Sequence, residues 1–263
     1  MVTFEDISQQ LADQRRAAWS DVARRIAHEI KNPLTPIQLA AERLQRRFGK
    51  HIAQDEAIFT QLTSTIVRQV GDLRNIVDEF SSFARMPKPL FRAENMHDIV
   101  GHAVFMFEVA HPDIRFTYNQ DGPFPTLISD RRQLGQAITN ILKNAVESIE
   151  EKKKTVEVDG AIVIDLVVEG DGLIIRIADN GIGLPSDRQR IMEPYITNRA
   201  TGSGLGLAIV KKIIEEHFGE ISLSDNQPEG AVVTLKFNPE IVALRVGKLN
   251  AAPPAVNSDE VMG

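Results

Sequence analysis

The sequence contains no cysteine. Disulfides, thiolate metal sites and cysteine nucleophiles are therefore excluded, and the absence fits a reducing compartment. No apolar run approaches the roughly 20 residues that a helix needs to span a bilayer, and the opening MVTFEDISQQ is not a signal peptide. As it stands the chain is expected to be soluble. No internal repeat is present. A positive balance is missing too: 30 Lys+Arg face 36 Asp+Glu, a formal net charge of −6, which argues against a nucleic-acid-binding protein.

What is present is unevenly distributed. The 263 residues suffice for one large domain or two smaller ones, each with its own core. Residues 1–92 carry 14 Lys+Arg against 11 Asp+Glu, a net of +3, and the remainder 16 against 25, a net of −9. Two units with different partners would show this asymmetry, and so would two solvated surfaces of different composition.

Apolar residues recur every three or four positions through Trp19, Val22, Ile26, Ile30, Pro33, Ile37, Leu44 and Phe48. They do so again through Ile58, Leu62, Ile66, Val70, Leu73, Val77, Phe80 and Phe83. The spacing predicts two long helices over about 8–48 and 54–86, joined near Gly49 as an antiparallel hairpin. A lone hairpin leaves much apolar surface uncovered, so two copies are expected to pair as a four-helix bundle. Pro33 and Pro36 each remove a helical hydrogen bond, at Glu29 and Asn32 respectively, and predict a kink.

The run MPKPL at 86–90 reads as a linker. After it come a helix over about 95–109, a strand near 114–119 and a helix over 130–150 with Asp130 as N-cap. The runs AIVIDLVVEG and GLIIRIADN predict a β-hairpin. A glycine-rich loop, a helix over about 205–218 and strands near 220–225 and 231–237 follow. The grammar is that of an α+β sandwich, with helices over one mixed sheet. The expected organisation is a hairpin domain over 1–90, a second domain over 91–240, and a partly disordered tail over 241–263.

Four segments carry chemistry. His28 lies two residues from Ile26 and from Ile30, about 200° from the apolar stripe, and is expected to face solvent. A neutral imidazole is a competent nucleophile near pH 7, Glu29 beside it can take a proton or orient the ring, and Asn32 one turn on can position water. On charge and exposure alone His28 equally suits an ordinary surface residue. Asn140 and Asn144, in NILKNAVES, lie one turn apart on a face shared with Ser148. An amide oxygen on a rigid helix suits Mg²⁺, although two solvated or capping asparagines give the same pattern. ADNGIGLP follows a strand; Asp179 can accept a hydrogen bond from an adenine amino group, with Gly181 and Gly183 letting backbone approach the ring, and the same residues make an ordinary turn. In TGSGLGLAIVKKII, Gly202, Gly204 and Gly206 lead into a helix whose N-terminal N–H groups suit phosphate oxygens.

The order and spacing of the four are more specific than any one. Together they resemble the sensor histidine kinases of two-component systems over about residues 10–237. HEIKNPL is similar to that family's phosphoacceptor box, NILKNA to its N box, DNGIG to its G1 box, MEPYITNR to its F-box region and GSGLGL to its G2 box. HEIKNPLTPIQLAAERL is most similar to the nitrogen-regulation members.

The resemblance implies an α+β multidomain fold: a helical hairpin forming a dimeric four-helix bundle, followed by a Bergerat-type α/β sandwich that binds ATP. It implies ATP-dependent autophosphorylation of His28, with Glu29 as acid/base partner, and transfer to an aspartate on a response regulator receiver domain. Asn32 would serve the reverse, phosphatase reaction. Asn144 would hold Mg²⁺, Asn140 and Lys143 would lie near the phosphates, and Asp179 would read adenine. The lid would run from about Leu184 to Thr201 with Arg199 where relatives usually carry lysine, and Gly202, Gly204, Leu205 and Gly206 would close the nucleotide site. Met192 and Tyr195 stand where phenylalanines are usual, so lid packing is expected to differ. The implied partners are a second copy and the receiver domain, with no nucleic acid. The implied location is cytoplasmic, with the full-length protein anchored in the bacterial inner membrane upstream of Met1. The alternatives are an ATPase of the gyrase or Hsp90 type, which carries a glutamate base where Asn140 stands, and a non-catalytic dimeric scaffold.

Overall fold

The computed structural model describes residue 27 and residues 30–48, 56–84, 86–120, 126–185, 188, 190–193 and 204–251. The chain divides into two compact units, Met1–Pro87 with Tyr195–Leu205, and Lys88–Pro194 with Gly206–Gly263.

The first unit contains α1, residues 30–48, and α2, Glu56–Ala84. An ion pair between Lys31 and Asp78 and a hydrogen bond from Gln45 Nε2 to Ser64 Oγ (3.3 Å) tie them. Numbers rise along one helix as they fall along the other, so the pair is antiparallel. The seam combines small residues with one leucine and two valines. Ala27, Leu34 and Ala41 are buried on one side and Thr63, Val70 and Val77 on the other, each set seven apart as a helix–helix seam requires. The Thr63 hydroxyl is satisfied by donating to the Phe59 carbonyl at 2.8 Å.

The bulky residues that define the stripe in the sequence lie elsewhere: Ile30, Ile37, Leu44, Leu62, Ile66 and Leu73 are all exposed on the single chain. The helix is continuous through Pro33 and Pro36. Both prolines and Asn32 face outward, where a carbonyl deprived of its helical partner is free to bond water.

The second unit is an open sandwich. Its order is β1 (Arg92–Asn95), α3 (Met96–Ala110), β2 (Ile114–Gln120), β3 (Thr126–Ser129), α4 (Arg131–Lys153), β4 (Gly160–Glu169), β5 (Gly172–Asp179), a 3₁₀ turn at Arg190–Met192, α5 (Gly206–Glu216), β6 (Glu220–Asp225), β7 (Ala231–Phe237) and α6 (Pro239–Ala251). Five strands form one mixed sheet in the order β2-β4-β5-β7-β6, with β2 parallel to β4 and the other neighbours antiparallel. β1 and β3 pair separately. Alternation along β4 turns Ile162, Ile164 and Leu166 into the core, where they meet the apolar face of α4. Burying each such side chain contributes about 1.5–3 kcal/mol.

Helix α6 continues past residue 240, where a partly disordered tail is expected. Asn238 Oδ1 caps it by accepting the N–H groups of Glu240 and Ile241 (3.1 and 3.0 Å), Pro239 fills its first position, and Val242 and Val246 are buried. The Asn-Pro pair was the available signal.

One buried hub fixes α4 to α5. Asp130 Oδ1 accepts the N–H groups of Arg132 and Gln133 at 2.9 and 3.1 Å, capping α4 as expected, and its Oδ2 accepts that of Leu90 at 2.9 Å. The Asp130 N–H donates to His217 Nε2 at 3.0 Å, and His217 Nδ1 lies 2.8 Å from the Ile213 carbonyl. The ring is thus neutral, with its proton on Nδ1, and Phe91 packs edge-on against it at 5.3 Å. His217 is fully buried, and burial lowers its pKa against the opposing pull of the Ile213 carbonyl and the Asp130 charge. Burial would raise the Asp130 pKa, but the three backbone donors outweigh it and the net shift is downward.

Both shifts have the same consequence. Below about pH 6.5 the unfolded chain protonates His217 while the folded ring resists, so the unfolded state binds more protons and stability falls as pH drops. Urea midpoints are expected to be lower at pH 5.5 than at pH 7.5. His217→Phe should cost about 1–3 kcal/mol at pH 7.5, because the Asp130 N–H loses its partner, and should flatten the dependence between those two pH values. An unchanged slope in the variant would assign the acid loss elsewhere.

Candidate functional site

Along α4, Asn140, Asn144 and Ser148 stand four residues apart, so they form one line on the helix. Each meets the turn opposite it. Asn140 Nδ2 donates to the Gly206 carbonyl at 3.5 Å, at the start of α5. A Cβ on Gly206 would lie 3.9 Å from both terminal atoms of the Asn144 amide, so the first turn of α5 faces that amide. Ser148 Oγ accepts the N–H of Ile182 at 3.1 Å, in the loop after β5. A single helix face therefore connects the N-terminus of α5 with the loop that carries Asp179.

Asp179 closes β5, is buried, and its Oδ1 accepts the Gly181 N–H at 2.8 Å, a local turn that fixes the carboxylate. Gly181 is required by contact: an added Cβ would fall 2.2 Å from Ser148 Oγ and 2.6 Å from the Ser148 backbone carbon. Gly183 is required by conformation, with φ +79°. Asn180, in sequence an ordinary turn residue, staples the loop. Its Oδ1 accepts the Ala161 N–H and its Nδ2 donates to the Asp159 carbonyl, both at 2.8 Å. Its own carbonyl accepts from Lys152 Nζ at 2.9 Å.

Of the residues predicted for the site, the structure brings Asn140, Asn144, Asp179, Gly181 and Gly206 onto these facing elements, with Gly183 in the same loop. Lys143 is exposed on the flank of α4, one residue off the line. Gly204, at φ +66°, and buried Leu205 lead directly into α5. Asn32 is exposed on α1 of the first unit. His28, Glu29, Arg199 and Gly202 lie outside the described residues.

The donor set suits a nucleotide. A fixed carboxylate accepts from an exocyclic amino group, an amide beside a helix N-terminus matches a hard cation on phosphates, and the α5 N-terminus favours anionic oxygen. Among the described residues, no group of three or more His, Cys, Asp or Glu side chains is placed to hold a metal by itself, so a cation here would rely on the amide and on ligand oxygens. No helix among them is long and apolar enough to cross a membrane.

Comparison with known proteins agrees. Residues 18–89 match the His Kinase A (phospho-acceptor) domain, and residues 129–241 match the histidine kinase-, DNA gyrase B- and HSP90-like ATPase domain. The chain is 54% identical over 231 residues to the nitrogen regulation protein NtrY of Azorhizobium caulinodans, a match covering 88% of this chain and 30% of that protein. It is 38% identical over 248 residues to a putative sensor histidine kinase NtrY-like of Rickettsia prowazekii, covering 92% and 40%. It thus spans well under half the length of these relatives. The sensory histidine kinase/phosphatase NtrB of Salmonella typhimurium is 28% identical over 222 residues, covering 82% and 61%.

Two solved structures share the fold. One is full-length ShkA in complex with AMPPNP (TM-score 0.63, 20% identity, 82% of this chain and 45% of that one), and the other is histidine kinase ThkA in complex with the response regulator protein TrrA (0.62, 22%, 90% and 67%). The phosphoacceptor match goes against the gyrase-type and scaffold alternatives. A helical hairpin matched to the phosphoacceptor domain, an α/β sandwich matched to the ATPase domain, and extensive identity to NtrY together make this chain a member of the sensor histidine kinases that resembles NtrY.

Proposed function

We propose that the chain is the catalytic region of a sensor kinase that phosphorylates His28 from ATP and passes the phosphoryl group to an aspartate of a response regulator receiver domain. The observation that carries this reading is the line Asn140, Asn144, Ser148 on α4, which faces the α5 N-terminus at one end and the Asp179 loop at the other. In it Asp179 accepts from the adenine amino group, Gly181 and Gly183 admit the ring, and Asn140, Lys143 and the α5 turn after Gly202, Gly204 and Leu205 lie along the phosphates. Bound through Asn144, Mg²⁺ would neutralise phosphate charge as the γ-phosphoryl leaves. The lid expected over residues 184–201, with Arg199, lies largely outside the described residues.

A ring nitrogen of His28 attacks the γ-phosphorus; the P–N bond forms, the P–O bond to ADP breaks, and Glu29 takes the ring proton. An aspartate oxygen of the regulator then attacks the same phosphorus, and the P–N bond breaks. Asn32, exposed on α1 and four residues after His28 in the sequence, positions water for hydrolysis of that aspartyl phosphate. The hairpin domain runs over 1–90 and the ATP-binding domain from 91 through α6, past the boundary expected at 240. The exposed Ile30, Ile37, Leu44, Leu62, Ile66 and Leu73 support a homodimer, because a second hairpin would cover them. Nitrogen-related signalling, and a membrane anchor upstream with this region in the cytoplasm, follow the likeness to NtrY.

The test is to incubate the 263-residue chain with γ-labelled ATP and Mg²⁺, then add a receiver domain. Label should appear on the chain and move to the receiver. Phosphate release with no labelled protein would overturn the reading. Asn32→Ala should leave chain labelling within about twofold and slow loss of label from the receiver about tenfold or more, roughly what one lost hydrogen bond to the attacking water is worth; unchanged loss would remove Asn32 from the phosphatase step.

A further inference from the structure

The Asp179 loop is held from behind by the turn between β6 and β7. The β5–β7 ladder ends at Ala178↔Val232, so the Asp179 carbonyl lies one residue past the last paired position on that edge. A side chain takes over there: Asn226 Nδ2 donates to the Asp179 carbonyl at 2.8 Å. Asn226 is itself fixed, its Oδ1 accepting the Gln227 N–H at 2.9 Å and its own N–H donating to the Gly230 carbonyl at 3.0 Å. The turn lies against the strand end so closely that a Cβ on Gly230 would come within 1.9 Å of the Asp179 carbonyl oxygen. The next carbonyl, that of Asn180, is gripped by Lys152, whose Nζ also pairs with Glu229 of the same turn at 2.7 Å.

From this we propose that Asn226 is a positioning residue for base selection: by holding the Asp179 main chain it sets where the Asp179 carboxylate meets the purine. The proposal rests on the adenine-reading role given to Asp179 above. A carboxylate on a strand end swings with its backbone, and a displacement of about 1 Å at a recognition contact costs on the order of a hundredfold. The β4 edge fixes Asp179 on one side through the Ile162 pairing. The Asn226 amide holds it on the other.

Two substitutions separate this role from turn formation. Asn226→Asp keeps an oxygen for the Gln227 N–H but has no donor for the Asp179 carbonyl; Asn226→Ala removes both. The full chain with Mg²⁺ is titrated calorimetrically with ATP and with inosine triphosphate, which has a carbonyl in place of the adenine amino group, and Asp179→Asn is measured alongside. Both Asn226 variants are expected to bind ATP about tenfold more weakly with inosine triphosphate little changed, so the preference for ATP shrinks about tenfold. The preference is a ratio within one preparation, so a smaller folded fraction cancels. If both variants keep the parental preference while Asp179→Asn loses it, Asn226 is a turn residue only and the proposal fails. If Asp179→Asn keeps the preference, the adenine-reading role fails and takes the proposal with it.

Discussion

Replacing His28 by glutamine is expected to abolish labelling of the chain by γ-labelled ATP, a loss of at least about a thousandfold, because the amide offers no nucleophilic lone pair. Glutamine is close to histidine in size and is the better helix former, so the hairpin should persist. Nucleotide affinity should also persist, because every element of the α4 line and the Asp179 loop belongs to the second unit. Calorimetric ATP affinity within about twofold of the parent, with no label, is the joint result that assigns the acceptor. Phosphorus on an imidazole nitrogen is lost in acid and survives base, whereas phosphoserine survives acid. Acid-stable label, or label that persists in His28→Gln, would move the acceptor elsewhere and remove Glu29 from its role.

The second large effect is expected at Gly181. An alanine methyl there would stand 2.2 Å from Ser148 Oγ and 2.6 Å from the Ser148 backbone carbon. Trimming Ser148 to alanine would remove the first clash and leave the second, so the loop or the helix must shift. Overpacking of this kind costs about 1–3 kcal/mol, occasionally more, and the shift falls on the residue pair that orients Asp179. Gly181→Ala should therefore weaken ATP binding by about a hundredfold or more, with a lower melting temperature for the second unit. Gly135→Ala is the matched control: it lies in the same helix α4 and its added Cβ would meet nothing within 4 Å. That change should leave binding intact and raise stability by about 0.5–1 kcal/mol through helix propensity. Parental ATP affinity in Gly181→Ala would show that the close approach of loop and helix is not needed for the site.

Some of the site was legible because it is local. Asn140, Asn144 and Ser148 share a face by helical periodicity alone, Asp130 caps α4 as its side chain predicts, and the paired runs at 160–169 and 172–179 give the hairpin that delivers Asp179. Other parts were not. Asn226 is 47 residues from the carbonyl it holds, and in the run DNQPEG it reads as turn chemistry. His217 reads as one more residue at the end of an amphipathic helix, whereas it is buried 87 residues along the chain from the Asp130 N–H it accepts. In the hairpin, a count of large apolar residues picked out Ile30, Ile37 and Leu44. The residues buried along this helix are instead Ala27, Leu34 and Ala41, a different seven-residue repeat, while Ile30, Ile37 and Leu44 stay exposed on the single chain.

The sequence by itself determined the two-part organisation, the order of the longer helices and of the five strands of the mixed sheet, and the spacing of the residues with chemistry, since periodicity, caps and glycine positions are set within a few residues of each other; the short β1–β3 pair was not among its expectations. Only the tertiary structure decided which hairpin face closes within the chain, that Val242 and Val246 of α6 are buried, and that the β6–β7 turn holds the Asp179 main chain. Those outcomes depend on contacts between segments dozens of residues apart. Local propensity carries no information on such contacts; packing of the core and satisfaction of buried polar groups select them once the chain has folded.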